Sequence, residues 1–372
     1  MTTSRRSVRR RVAWTVPLAT AAVIGGAVAL PLTAEAGPPN LAGTTPEALL
    51  AAVRSADVTA LSGEVSETAR LGLPALANQG DSAALNWQTL VTGTHTAKVA
   101  VDGPDRQRLA LLGTLAESDV VRNGQDLWTY ASSSQQVTHA VLPADRPDGA
   151  TQTPDPSDPM AMTPLGAAQY VLGAITPTTG VSMAANTRVA GQDAYALVLT
   201  PEQTGSTIGR VVIAVDAQKH VPLQVQVFGP SAGDPVLETG FTAISYARPS
   251  ATTFDFAVPA GATVTTRQLG QDAGQRPAAS SEGATSGEPQ MIGTGWTSVV
   301  ESARGTDALA ALTSGASGDR STTELLDRLL TVQPNGDRLL STALVNVLLT
   351  ADGRVFAGAV QPSVLQQAAA TR

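Results

Sequence analysis

Between residues 61 and 258 apolar residues alternate with polar ones in many short runs, rather than recurring every third or fourth position. Leu109 and Leu111 alternate with Arg108 and Ala110, and Trp128 and Tyr130 share one face of their own run. Tyr195, Leu197 and Leu199 share a parity, as do Val211, Ile213 and Val215, then Leu223, Val225 and Val227. A period of two marks a strand with one buried face. The pattern predicts strands over 63–73, 88–101, 106–113, 115–122, 126–130 and 136–142. A second group follows over 181–189, 194–199, 208–215, 222–228, 237–246 and 254–258. Turn residues separate most of them, and Asn123-Gly124 between two alternating runs is a strong hairpin signal. The strands lie too close together for crossover helices, so the sheet is antiparallel.

Helical spacing is rare. Residues 46–56 predict a short helix capped by Thr45 or Thr44, with Pro46 in the first turn and Leu49, Leu50 and Val53 on one face. Residues 164–175 predict a second, after a loop rich in Pro, Asp and Thr over 143–164. Residues 268–295 are rich in Gly, Ser, Ala and Pro and read as a flexible linker. Beyond it come a helix over 322–330, a hairpin of 339–349 and 354–360 around Asp352-Gly353, and a helix over 362–369. This tail forms either a small separate lobe or an addition to the main sheet, and the second is preferred because two strands alone are not stable.

The first 36 residues have a different character. Arg5, Arg6, Arg9, Arg10 and Arg11 precede an uncharged run over 12–33, and Ala34-Glu35-Ala36 follows. A basic start, an apolar core and a small-x-small exit at Ala34 and Ala36 form an export signal. Left uncut, the same run is long enough to anchor the chain in a membrane. Either way the remainder is expected outside the plasma membrane, in the cell envelope or secreted.

Without residues 1–36 the chain keeps 19 basic and 30 acidic residues, a net charge of −11, which argues against nucleic acid as a partner. There is no cysteine, so neither disulfides nor a lipidated cysteine contribute. Arg outnumbers Lys 22 to 2, a usage typical of GC-rich bacterial genomes.

Catalytic chemistry finds little support. His95, His139 and His220 are far apart, without the close spacing of a metal site, and no G-x-S-x-G, S-x-x-K or P-loop occurs. Glu117 and Asp119 share a strand face, which on an antiparallel sheet normally meets water. The reading is a non-enzyme with no cofactor and no metal. What remains is an aliphatic sheet face that its own helices or a ligand must cover.

Several collinear stretches resemble the LolA-like superfamily of exported lipid-handling proteins. That superfamily includes outer-membrane lipoprotein carriers, RseB/MucB-type envelope-stress regulators and mycobacterial LppX/LprG-type proteins. The stretches are 63–73, Asp105-Arg106-Gln107-Arg108-Leu109, and Val121-Arg122-Asn123-Gly124-Gln125-Asp126-Leu127-Trp128-Thr129-Tyr130. Further along come Val189-Ala190-Gly191-Gln192-Asp193-Ala194-Tyr195, Val215-Asp216-Ala217 to Pro222-Leu223, and Phe254-Asp255-Phe256-Ala257-Val258-Pro259-Ala260-Gly261. The G-x-x-L-W-x-Y and F-x-F-x-x-P-x-G patterns are the most specific, and the match covers about residues 45–265.

The resemblance implies a mainly β (α+β) fold: a LolA-like open half-barrel of about eleven antiparallel strands covered by short helices, with a small C-terminal α/β extension. The expected organisation is a signal or anchor over 1–36, the half-barrel over 40–267, a linker over 268–295 and the extension over 296–372. The implied ligand is an acyl lipid or lipoprotein at the membrane periphery, held by a monomer. Leu109, Leu111, Trp128, Tyr130, Leu197, Leu199, Val211, Ile213 and Val225 are the expected cavity lining. Arg108 or Arg106 matches a family arginine that latches a lid by bonding to helix backbone. The alternative is an RseB/MucB-like regulator that senses lipid and binds an anti-sigma factor, and a third is a secreted enzyme. The extension and the absent lipidated cysteine depart from the carriers.

Overall fold

The computed structural model describes residues 37–72, 92–113, 117–142, 163–173, 175–268, 290–302 and 329–371. The expected signal and residues 322–328 of the helix expected over 322–330 lie outside them. Among the described residues no helix is long and apolar enough to cross a membrane.

Helix α1 (Pro46–Arg54) starts as expected, with Thr45 Oγ1 accepting from the amide of Ala48 and proline in the first turn. The first strands are β1 (Ala60–Arg70), β2 (Thr92–Asp102), β3 (Arg106–Leu112), β4 (Glu117–Asn123), β5 (Asp126–Ala131) and β6 (Gln136–Val141). After α2 (Pro164–Gly173) come β7 (Thr179–Val189), β8 (Gln192–Pro201), β9 (Arg210–Asp216), β10 (Pro222–Phe228), β11 (Leu237–Ser245) and β12 (Thr263–Gln268). All twelve form one open sheet in the order β12-β6-β5-β4-β3-β2-β1-β11-β10-β9-β8-β7. Every pair is antiparallel except β12 with β6, which is parallel. Strand β1 is the joint, flanked by β2 on one side and β11 on the other. Far along the sheet, β7 curls back against β11.

The register divides the side chains into two faces. On one, Leu61, Val65 and Glu67 of β1 neighbour Val101, Ala97 and His95 of β2, and Ala97 and Val99 neighbour Leu111 and Leu109 of β3. Across β11 the same face continues through Phe241 and Thr239 to Val225, Ile213 and Leu197, and through Val227, Val211 and Leu199. Helices α1 and α2 lie on this inner face, with Leu49 and Ala168 buried among Leu197, Leu199, Val211, Ile213 and Val225. Leu61, Val65, Val99, Leu109, Leu111, Leu223 and Phe241 form the adjoining core.

The segment expected as a strand over 254–258 is instead a 3₁₀ turn, Ala251–Phe254, followed by extended chain. Strand β11 already has β1 and β10 as partners, so this segment cannot pair beside the strand it follows. It crosses the outer face, burying Phe254 completely and setting Phe256 against Trp128 and Tyr130.

The C-terminal residues form β13 (Gln290–Ile292), β14 (Val299–Ser302), β15 (Thr331–Val332), β16 (Arg338–Ser341), β17 (Asn346–Leu349), β18 (Val355–Gly358) and α3 (Pro362–Ala370). The hairpin around Asp352-Gly353 is present as β17 and β18. The tail does not join the main sheet as expected. It builds a six-stranded sheet of its own in the order β13-β14-β18-β17-β16-β15, with Val299, Leu348, Phe356, Val360 and Leu365 as its core. Residues 290–295, expected within the linker, hold β13 and the start of a 3₁₀ turn.

The two sheets are joined by specific bonds. Leu344 is buried in the core under α1 and α2. The amide of Thr207 donates to the carbonyl of Ala359, and the amide of Gln361 donates to the carbonyl of Gly205. Trp296 donates its indole N–H to Thr179 Oγ1 at 2.8 Å and its amide to Gln203 Oε1 at 3.0 Å.

Candidate functional site

The inner face has two parts. Over β7 to β10 the chain's own helices fill the space, and Leu197, Leu199, Val211 and Ile213 are at most 1% exposed. Val225 is buried with them. These five expected lining residues serve as core beneath α1, α2, Leu344 and Trp296. Over β1 to β3 lies a cleft lined by Val65, Glu67, His95, Ala97, Leu109, Leu111 and Thr163. Its enclosed space is about 10 Å³, room for roughly one water molecule, and about 240 Å³ counting the space open to solvent. Leu109 and Leu111 are the expected lining residues that this cleft contains.

Alternation builds the cleft. Val65, Glu67 and Ala69 succeed one another on the inner face of β1, so an acidic residue stands where the pattern otherwise supplies an apolar one. Glu67 faces His95 on β2 and Thr239 on β11, and Thr163 precedes α2. Burial pushes the Glu67 carboxyl up to about 7, because removal from water disfavours the charged form. Its Oε2 is buried and accepts no hydrogen bond among the described residues.

Trp128 and Tyr130 sit elsewhere. The two-residue turn between β4 and β5, with Gly124 at φ 65°, fixes the pairing Val121 with Trp128 and Asp119 with Tyr130. That parity puts both aromatics on the outer face with Arg108, one residue out of step with Leu109. Trp128 stacks on His139 at 3.9 Å between ring centroids, and His139 Nε2 lies 2.7 Å from Asp126 Oδ1.

Both arginines also point outward. Arg108 donates to the carbonyl of Thr253 at 3.2 Å and to Asp119 Oδ2 at 3.0 Å. It holds helix backbone, as a latch would, but the helix is the 3₁₀ turn on the outer face. Arg106 pairs with buried Asp102 at 2.5 Å, and Arg248 reaches the same carboxylate at 3.2 Å. Asp119, expected on a solvated face with Glu117, is 6% exposed because the 251–256 segment covers it. Among the described residues no cluster of His, Asp and Glu has the arrangement of a metal site.

Glu67 and Thr163 are functional candidates that the pattern of motifs overlooked, and His95, weighed there only as a metal ligand, joins them in the cleft. The available signal was parity, since Glu67 shares it with Leu61 and Val65 inside one strand.

No family model matches the chain, and no curated protein sequence matches it. Comparison with solved structures finds distant matches. The Pseudomonas aeruginosa MucA/MucB complex matches with 16% identity and a TM-score of 0.42, over 87% of this chain and 96% of that one. A conserved protein of Thermus thermophilus matches with 12% identity and a TM-score of 0.34, over 59% and 98%. A LolA superfamily protein from Nitrosomonas europaea matches with 10% identity and a TM-score of 0.23, over 57% and 99%. All three likenesses are distant, with identities of 10–16% and TM-scores of 0.23–0.42.

Proposed function

We propose that the protein is an extracytoplasmic lipid- or lipoprotein-binding carrier that takes an acyl chain into the inner-face cleft beneath α2. The observation that carries this reading is the cleft itself: Val65, Ala97, Leu109 and Leu111 form an aliphatic recess that opens to solvent on a non-polar sheet face. A methylene leaving water contributes about 0.8 kcal/mol, so a long acyl chain gains on the order of 10 kcal/mol before ordering costs. Binding needs no catalytic group. The cleft is narrow, so a full chain requires α2, whose Leu165 packs against this core, to move outward.

Native mass spectrometry of the protein purified from its own host tests the reading. Co-purified acyl lipid, lost in a Leu111→Asp variant that keeps the circular dichroism of the parent, is the expected result. An empty wild-type protein that takes up no lipid from vesicles would overturn it.

A second reading, a lipid-sensing envelope regulator, draws on the docking of the C-terminal sheet, through Leu344 and Trp296, onto the core that adjoins the cleft. It expects lipid loading to change hydrogen exchange in residues 338–358, whereas a simple carrier leaves them unaltered.

A further inference from the structure

We propose that Glu67 is the polar anchor of this cleft and selects amphiphiles that carry an ammonium group at the end of the acyl chain. The inference rests on the acyl-binding reading and specifies its ligand. Glu67 stands at the centre of the sheet, on the strand that joins its two halves, with Val65 and Ala97 on the near side and Leu109 and Leu111 beyond. A buried carboxyl oxygen without a donor is costly to keep, and it is an acceptor that the fold leaves for something else to satisfy.

The chemistry of the lining narrows what that is. None of the seven lining residues is Lys or Arg, so a phosphate or carboxylate head meets a carboxylate and no fixed cation. Among the described residues, the groups that face Glu67 are His95 from β2, Thr239 from β11 and Thr163 at the start of α2. Of these only His95 has an ionisable side chain. An ammonium group brings three donors and the opposite charge, and charge-assisted hydrogen bonds are about twice as strong as neutral ones. It is also about the size of a water molecule, for which the cleft has room.

The test uses the full chain and three twelve-carbon probes, dodecylamine, dodecanol and dodecanoate, titrated calorimetrically at pH 8. Wild type should bind dodecylamine at least tenfold more tightly than either other probe. In Glu67→Gln, which keeps shape and removes charge, that preference should fall to threefold or less while dodecanol affinity stays within threefold. Wild-type preference for the amine should also disappear at pH 5.5, where the carboxyl holds its proton. Equal wild-type affinity for amine and alcohol overturns the anchor, as does a full amine preference in Glu67→Gln. Failure of all three probes to bind wild type overturns the acyl-binding reading beneath it.

Discussion

Thr207 donates its hydroxyl hydrogen to the main-chain carbonyl of Leu344, 137 residues further along the chain. Both groups are buried, and the Leu344 side chain enters the core under α1 and α2. The C-terminal sheet is therefore fastened at a point where it completes the half-barrel's own core.

Leu344→Ala should destabilise the whole protein by about 2–5 kcal/mol, the usual range for emptying a buried leucine site. Thr207→Val should cost about 1–3 kcal/mol by leaving a buried carbonyl without its donor. In urea titrations followed by circular dichroism, wild type should unfold in one transition. Separate transitions for the two sheets would show that the shared core does not couple them.

Arg108 ties the 251–256 segment to the outer face while neutralising Asp119. Arg108→Met should destabilise by about 1–3 kcal/mol, the range for hydrogen bonds to charged groups. Hydrogen exchange should rise at residues 251–256 first. Unchanged protection there would mean that Phe254 and Phe256 hold the segment without the arginine.

Glu67 predicts an unusual pH dependence. Its carboxyl titrates near 7 in the fold against an ordinary 4.5, so the folded state binds the extra proton between these values. The stability tied to that proton is fully present below pH 4.5, falls as pH rises, and is lost above about 7. The shift corresponds to roughly 3 kcal/mol. Glu67→Gln should not show this loss, so its stability advantage over wild type should grow from pH 4.5 to 7 by that order. A constant difference across this window would place the carboxyl in water.

Gly63 lies beside the irregular pairing of β1 with β11. A Cβ there would sit 2.4 Å from the carbonyl oxygen of Ala243 and 2.9 Å from the ring of Phe241. Gly63→Ala should therefore force β11 away and cost about 1–3 kcal/mol, as overpacking does. Thermal unfolding measures it. A neutral result would mean that the strand shifts without penalty.

Most of the main sheet was legible because its strands obey a period of two and its turns carry recognisable residues. Gly124, in the β4–β5 hairpin, is the clearest case. Parity told that Trp128 and Tyr130 share a face, but not which face; that depends on register with Leu109 two strands away. Strand β12 escaped notice because Thr263–Gln268 has almost no apolar residue and pairs along an edge, held by backbone alone. Glu67 was hidden for the opposite reason: a single carboxylate inside an alternating strand looks like one more polar position.

The pairing of β1 with β11 has a kinetic consequence. Strands β1 to β6 can zip up hairpin by hairpin, yet the joint between the halves needs Ser62 to meet Ser245. Closing so long a loop is slow, and sheets dominated by distant pairings fold in milliseconds to seconds. Stopped-flow refolding should show its main phase at the slow end of that range. Until residue 245 has been synthesised the aliphatic face has no second half to close against.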